Sequence, residues 1–445
     1  MGALLKQVSA LLLSHGCLLI GNGLFMTLLS LRSNLEGFST ELTGIIMSGY
    51  FIGLFFGARY TGYLVDRVGY IRTFSVFASI ISMIPLAHML WTDPVFWFGL
   101  RLVSGFAMAG LLMVTESWLN AGVSNQHRGG LLAIYMIVNY LGAGGAQLFL
   151  LLQDPSGYQL FVMASICFSF CLVPVALTRT AEPQPDPPEP LKIMPTLRTT
   201  PVGFLGAACA GFLSASFNTM GPLFALQVEL SAQQISWFMA LGICGGLVLQ
   251  TPIGKLSDRI ERRKVIAVVA GLVVLVCTAI ALQVEFYLRP ELLLASSFLY
   301  GSLAFTIYSL AAAHANDWAK PERRMQTAGA LMVGYSIGAI AGPLLSSNGI
   351  SWFGPQGLFG FMAVAAGLLS LFTLGRVSAQ HYQRKRAKPQ FVPRPGSYYT
   401  SGELYRAVQA ESQPVAEEAA FDGAAQAPVE ASDDAESEPL AKPPE

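Results

Sequence analysis

Three charged side chains lie inside long apolar segments of this chain: Arg59, Arg101 and Glu116. If those segments cross a membrane, each charge costs at least about 2.5–3.5 kcal/mol at mid-bilayer unless it is paired or hydrated. Such residues are therefore the sharpest functional candidates. Glu116 admits two readings. As a structural acid it pairs with Arg128 or with an arginine of a charged turn and stabilises closure at one membrane face. As a coupling acid it takes a proton from one side and releases it to the other, its proton affinity set by burial. Arg101 precedes Glu116 by fifteen residues, roughly 22 Å along a helix, so the two do not pair with each other. Arg101 either tunes a nearby acid, binds an anionic solute or anchors packing among helix ends. Arg59, about two turns before Asp66, can snorkel to the membrane face, which is a structural role. Neutral polar residues inside apolar segments are candidate cavity lining: His15, Asn22, Asn120, Tyr135, Asn139, Asn218, Thr219 and Tyr308. Tyr135 and Asn139 are spaced i,i+4 and share a helix face. Hydrogen bonding between helices is the alternative role for each of these.

A second charged pattern occurs twice. The stretch from Gly62 through Asp66, Arg67 and Gly69 to Arg72 has a counterpart from Gly254 through Asp258 and Arg259 to Arg262. Each copy follows one apolar segment and precedes another. Contacts made by these turns in one conformation and broken in another would bias a two-state equilibrium, so they are candidate conformational gates. The alternative is that they mark topology and form exposed ion pairs worth about 0–1 kcal/mol. The glycines retained in both copies favour the gate.

The elements that must position these residues follow from composition. Of 445 residues, 53% are hydrophobic and 12% are charged, against about a quarter charged in a soluble domain. Apolar runs of about 20 residues match a hydrocarbon core roughly 30 Å thick. Twelve spans are predicted, near residues 6–31, 42–64, 73–91, 95–120, 130–152, 158–178, 201–227, 233–254, 265–284, 291–316, 325–347 and 355–375. All must be helical, because an open chain in lipid has no other way to satisfy its backbone polar groups. The fold class is an all-α polytopic bundle of two pseudo-symmetric six-helix halves. If the N-terminus is cytoplasmic, fourteen Lys and Arg fall in cytoplasmic loops and only Arg32 and Arg289 in the opposite ones. That bias places both termini and both charged turns in the cytoplasm.

The duplication extends beyond the turns. An offset of 196 pairs Gly105 with Gly301, Asn120 with Asn316, Arg128 with Arg324, Met136 with Met332 and Gly142 with Gly338. It also brings Asn22 onto Asn218, whereas the charged turns differ by 192. The expected organisation is a half at residues 1–178, a Pro-rich cytoplasmic linker at 179–200, a second half at 201–376 and a disordered cytoplasmic tail at 377–445. The tail begins with a basic cluster at Arg384, Lys385, Arg386 and Lys388, suited to anionic lipid headgroups. Pro222 and Pro252 are expected to kink the seventh and eighth spans.

The two G-x-L-x-D-R turns resemble the signature motif of the major facilitator superfamily, placed after its second and eighth spans. Arg101-Leu102-Val103-Ser104-Gly105 is similar to that superfamily's R-x-x-Q-G motif, with Ser104 where Gln is usual. More narrowly, Val114-Thr115-Glu116-Ser117 with His127-Arg128-Gly129-Gly130-Leu131-Leu132-Ala133 resembles the uncharacterised bacterial YcaD-like branch. The superfamily resemblance covers roughly residues 5–376. It implies a secondary active transporter that alternates a central cavity between the two membrane faces. Tyr70 and Ile71 stand where the motif carries basic residues, and Glu261 stands where Gly is expected, which alters the second turn. Gly142-Ala143-Gly144-Gly145 lacks the Pro of the drug-antiporter motif, so multidrug export gains no support.

Other chemistries find no residues. There is no phosphate-binding G-x-x-x-x-G-K-[ST] loop, and five scattered histidines give no metal spacing. The six cysteines fall in spans and read as small apolar packing residues. No cofactor, no enzymatic chemistry and no nucleic-acid partner is indicated. The expected partners are a small-molecule solute, protons and the lipid bilayer, for a monomer in the bacterial cytoplasmic membrane. Export is preferred over uptake because the cavity candidates carry few charges. A transporter-like sensor that binds a solute and signals through its tail is the alternative.

Overall fold

The computed structural model describes residues 2–121, 128–177, 193–286, 288–319 and 323–379, without the side chains of residues 2–8, 120–121, 128–129, 324–325 and 378–379. Among the described residues, twelve helices are long and apolar enough to cross a membrane. They are α1 (Ser9–Leu35), α2 (Thr40–Val68), α3 (Tyr70–Leu90), α4 (Pro94–Leu119), α5 (Gly130–Leu151) and α6 (Gln159–Ala176). The second set is α7 (Pro201–Gln227), α8 (Ala232–Arg259), α9 (Arg262–Phe286), α10 (Pro290–Trp318), α11 (Gln326–Phe353) and α12 (Gly357–Val377). Every predicted span is present. The ends differ most at α2, α8 and α11, which continue past the apolar run into polar sequence. Of the expected linker, residues 193–199 form a short helix, Ile193–Thr199, packed on α11. The Pro-rich stretch and all but the first residues of the tail lie outside the described residues.

The duplication reappears in burial. Within their most apolar windows α1 and α7 are 78% and 83% buried, whereas α6 and α12 are each 39% buried. The first helix of each half is thus central and the sixth peripheral. Local signals repeat as well. Ser39 caps α2 by accepting from the Leu42 amide, and Ser231, at the same offset as the charged turns, caps α8 in a reciprocal box with Gln234.

The repeated glycines mark helix crossings. A Cβ at Gly105 on α4 would stand 1.9 Å from the Tyr50 carbonyl oxygen on α2, and one at Gly301 on α10 would stand 1.7 Å from the Gly242 oxygen on α8. Gly338 on α11 approaches the Ala208 oxygen on α7 in the same way, at 1.8 Å. Its partner Gly142 on α5 faces Leu19 of α1 less tightly, at 3.3 Å. Only a residue without a side chain lets two backbones meet this closely, and van der Waals packing then replaces the hydrophobic drive that lipid cannot supply.

Proline acts differently at the two expected kinks. Pro222 sits inside an α7 that stays helical throughout. In α8 the helix loosens between Gly245 and Gln250, directly before Pro252, whose missing N–H frees a carbonyl one turn back.

The halves are joined at the end remote from the charged turns. Gln227 at the close of α7 donates to the Thr40 hydroxyl at the start of α2, 3.4 Å away. The Ser351 hydroxyl of α11 bonds the Glu41 carboxylate of α2. Gly44 of α2 lies against Ser347 and the Pro343 carbonyl of α11. An apolar cleft there is walled by Leu31 and Leu150 from one half and by Leu226, Leu230 and Ile235 from the other.

Candidate functional site

Glu116, near the C-terminal end of α4, is fully buried. The Tyr135 hydroxyl on α5 donates to its Oε1 at 2.5 Å. The Tyr135 ring stacks on the His15 imidazole of α1, with centroids 4.6 Å apart and planes 23° from parallel. Asn139, one turn along α5, lies beside His15 and donates its amide to the Tyr135 carbonyl at 2.7 Å. Four sequence candidates from three helices therefore form one buried polar cluster. The i,i+4 spacing of Tyr135 and Asn139 delivers both to the α1–α4 side of α5, and the stack fixes the ring that holds the acid. Arg128, weighed as the structural partner of Glu116, has its side chain outside the described residues, as does Asn120.

Arg101 builds a second cluster. It is fully buried on α4, donates to the Met26 sulfur at 2.6 Å and stacks over the rings of Tyr50 at 4.5 Å and Phe25 at 5.8 Å. Such cation–π contacts are worth more once desolvated, up to about 2 kcal/mol. His88 of α3 closes the surround, edge-on to Phe25 and tilted against Trp97. Asn22 reaches this cluster through the Tyr50 hydroxyl. The anchor role thus has three named contacts.

Between the halves stands a group of tyrosines that sequence reasoning largely missed. Tyr50 of α2 and Tyr140 of α5 both feel Tyr335 of α11. Tyr308 of α10 packs edge-on against Tyr335 at 5.3 Å. Only Tyr308 is a sequence candidate. The other three sit in uniformly apolar runs, where a tyrosine facing the partner half has the same local pattern as one facing lipid. Asn218 donates to the Ser214 carbonyl of its own helix at 2.8 Å. Arg59 is exposed, over Tyr60 and Tyr63 and donating to the Tyr63 hydroxyl, which fits its structural role.

The two charged turns differ sharply. In the first, α2 runs to Val68 and the chain reverses at Gly69 alone, with φ 85°, a value only glycine adopts without strain. Asp66, Arg67 and Arg72 are exposed, and Gly62 has open space about it. In the second, Glu261 replaces that glycine and the chain instead passes through an extended Ile260, φ −108° and ψ 165°. Glu261 then binds Arg263 at 2.6 Å, and Arg263 also donates to the Arg376 carbonyl at the end of α12. Arg262, 2% exposed, is bracketed by Asp258 at 2.8 Å, Asp317 of α10 at 2.8 Å and the Ser257 hydroxyl at 2.9 Å. Arg259 stays exposed, and Gly254 is buried. Of the nine gate candidates the structure brings together only Asp258 and Arg262. Asp317 was missed, although an acid at the C-terminal end of a span, on the same side as a basic turn, is a readable signal.

A duplicated six-helix unit with a charged and polar interior, latched at one end, defines a multi-pass bundle of the transporter class. Residues 11–202 and 203–421 match the Major Facilitator Superfamily, and the chain belongs to it. It is 28% identical over 341 residues to "Uncharacterized MFS-type transporter YE1530" of Yersinia enterocolitica, covering 76% of this chain and 87% of that one. It is likewise 28% identical over 354 residues to the uncharacterized MFS-type transporter YcaD of Shigella flexneri, covering 78% and 90%. Among solved structures, the nucleoside transporter NupG superposes with a TM-score of 0.71 at 16% identity, over 85% of this chain and 100% of that one. A bacterial homolog of the human lysosomal transporter Spinster, in an inward-facing unoccupied conformation, gives 0.63 at 15% identity over 91% and 97%. At these identities the likeness to solved structures is one of fold.

Proposed function

We propose that this chain is a proton-coupled secondary transporter of a small solute in the bacterial cytoplasmic membrane, working as a monomer with both termini in the cytoplasm. Alternating access moves the solute, with export preferred over uptake. The observation that carries the reading is Glu116, a fully buried carboxyl gripped at 2.5 Å by the Tyr135 hydroxyl, within a bundle whose interior otherwise holds few charges. A buried acid held by a strong hydroxyl donor sits where its proton affinity is set by its surroundings, which a proton carrier requires. The solute site is assigned to Tyr135, Asn139 and His15 on one half and Tyr308 on the other, with Asn22 and Asn218 as further polar candidates of the first helix of each half.

The latched end, joined through Thr40, Glu41 and Gly44, is the periplasmic one in the orientation set by the Lys and Arg bias. The conformation is then the one closed to the periplasm. The charged turns act as the gate at the opposite end, with the Arg262 bracket holding the second half rigid and the exposed first turn free to engage when that end closes.

A metabolite-stabilisation screen of the purified protein identifies a solute, and proteoliposomes with an imposed pH gradient then compare wild type with Glu116→Gln. Gradient-driven flux should be lost in the variant while gradient-free exchange survives. Unchanged gradient-driven flux would remove Glu116 as the essential carrier.

A further inference from the structure

One buried ionisable group has so far only a lining part in that mechanism. His15 is fully buried on α1, and its ring lies on the face of the same tyrosine whose hydroxyl holds Glu116. Tyr135 therefore carries a carboxyl at its edge and an imidazole on its π face. We infer that His15 is the second member of the proton site, linked to Glu116 through Tyr135, and that the pair holds one proton between them. The inference rests on the proton-coupled reading above.

With the proton on His15, the imidazolium lies on the tyrosine face, a favourable cation–π contact, and Glu116 is a carboxylate accepting the Tyr135 O–H. With the proton on Glu116, both groups are neutral. The two forms have the same net charge, so neither leaves an uncompensated charge in the low-dielectric interior. Loading converts Glu116 carboxylate with neutral His15 into either form. Water that reaches the pair when that side of the bundle opens gives or takes the proton, and only an O–H or N–H bond is made or broken. Asn139 steadies the arrangement, tied to the Tyr135 carbonyl and beside the His15 ring.

The charged groups on helices packed against the pair stand mostly at helix ends. Arg101 on α4 and Arg59 on α2 lie further in; toward the ends are Arg32 on α1, Glu41, Asp66 and Arg67 on α2, Arg72 on α3, Arg128 on α5 and Lys255, Asp258 and Arg259 on α8. The weak acids on the same helices are the thiols of Cys17 on α1 and of Cys167 and Cys171 on α6, and the phenols of α2 and α5. His88 of α3 lies on the far side of Arg101's surround, against Phe25 and Trp97. The α7 segment has no acid or base except the thiol of Cys209. Arg128 is thus the rival partner for Glu116.

The full-length protein in liposomes can be titrated by infrared difference spectroscopy, with the Glu116 carboxylic C=O band identified by its loss in Glu116→Gln. Without the imidazolium, Glu116 should hold its proton at about tenfold lower proton concentration in His15→Gln. Linkage is reciprocal, so 15N-histidine resonances should show His15 needing about tenfold more protons in Glu116→Gln. That second measurement needs no change at His15. A Glu116 midpoint unmoved by His15→Gln, with an unmoved His15 resonance in Glu116→Gln, overturns the pairing and leaves Glu116 a solitary carrier. A midpoint shifted by Arg128→Gln alone does the same. A Glu116 band that never titrates overturns the proton-coupled reading with it.

Discussion

The unequal charged turns make a sharp prediction. Asp317→Asn removes the charge opposite Arg262 but keeps an oxygen acceptor in its place. Arg262 is 2% exposed and Asp317 13% exposed, so solvent screens the pair weakly. At an effective dielectric of about 20, unit charges some 4 Å apart attract by about 4 kcal/mol. Asp258, one-third exposed, still faces the guanidinium, and the Ser257 hydroxyl still accepts from it. What is lost is the charge assistance of one hydrogen bond, about 1.5–3 kcal/mol. Asp66→Asn alters the matching position of the first turn, where the carboxylate is exposed, and should cost no more than about 0.5 kcal/mol. Thermal unfolding of the two purified variants reads the contrast. At about 2–4 °C per kcal/mol for units of this size, Asp317→Asn should melt about 3–12 °C below wild type and Asp66→Asn within about 2 °C of it. Equal shifts, or a larger one for Asp66→Asn, would refute the assignment of the second turn as the packed, structural copy.

Two further outcomes follow from the fold. Gly301→Val places atoms where the Gly242 carbonyl already stands, 1.7 Å from an ideal Cβ, and should cost at least about 1–3 kcal/mol, seen as lost monodisperse yield on size-exclusion chromatography. Gly99→Ala, with open space at its Cβ, should be neutral in the same assay. Removing residues 378–445 should leave solute flux and its pH dependence unchanged in proteoliposomes, whereas a sensor signalling through its tail would lose its output.

Helix number, span order and duplication were legible because lipid imposes a length and an apolar composition that any spanning helix must meet. The glycine series was legible for a related reason: a crossing that tolerates no Cβ constrains one position in each half. His15, Tyr135, Asn139 and Glu116 were readable singly, since polarity in an apolar run stands out. Their union was not, because it depends on which faces of α1, α4 and α5 meet. Tyr50, Tyr140 and Tyr335 went unread since a tyrosine is also at home at a lipid interface. The altered second turn was legible in one residue, Glu261: without a glycine the chain cannot take positive φ cheaply, so it extends through Ile260, and the ion pair of Glu261 with Arg263 is what the sequence did not show.

The placement of Arg59, Arg101 and Glu116 has an electrical consequence. All three belong to the first six helices, and among the described residues the acids and bases of α7–α12 stand only toward helix ends. A transmembrane voltage does work on charge that moves across it, about 2.3 kcal/mol per elementary charge per 100 mV. Rocking the second half moves almost no charge through the field, and rocking the first half moves several. Membrane potential therefore acts on this protein through one of its two halves, the one that carries Arg101 and Glu116, while the other serves as an electrically silent fulcrum.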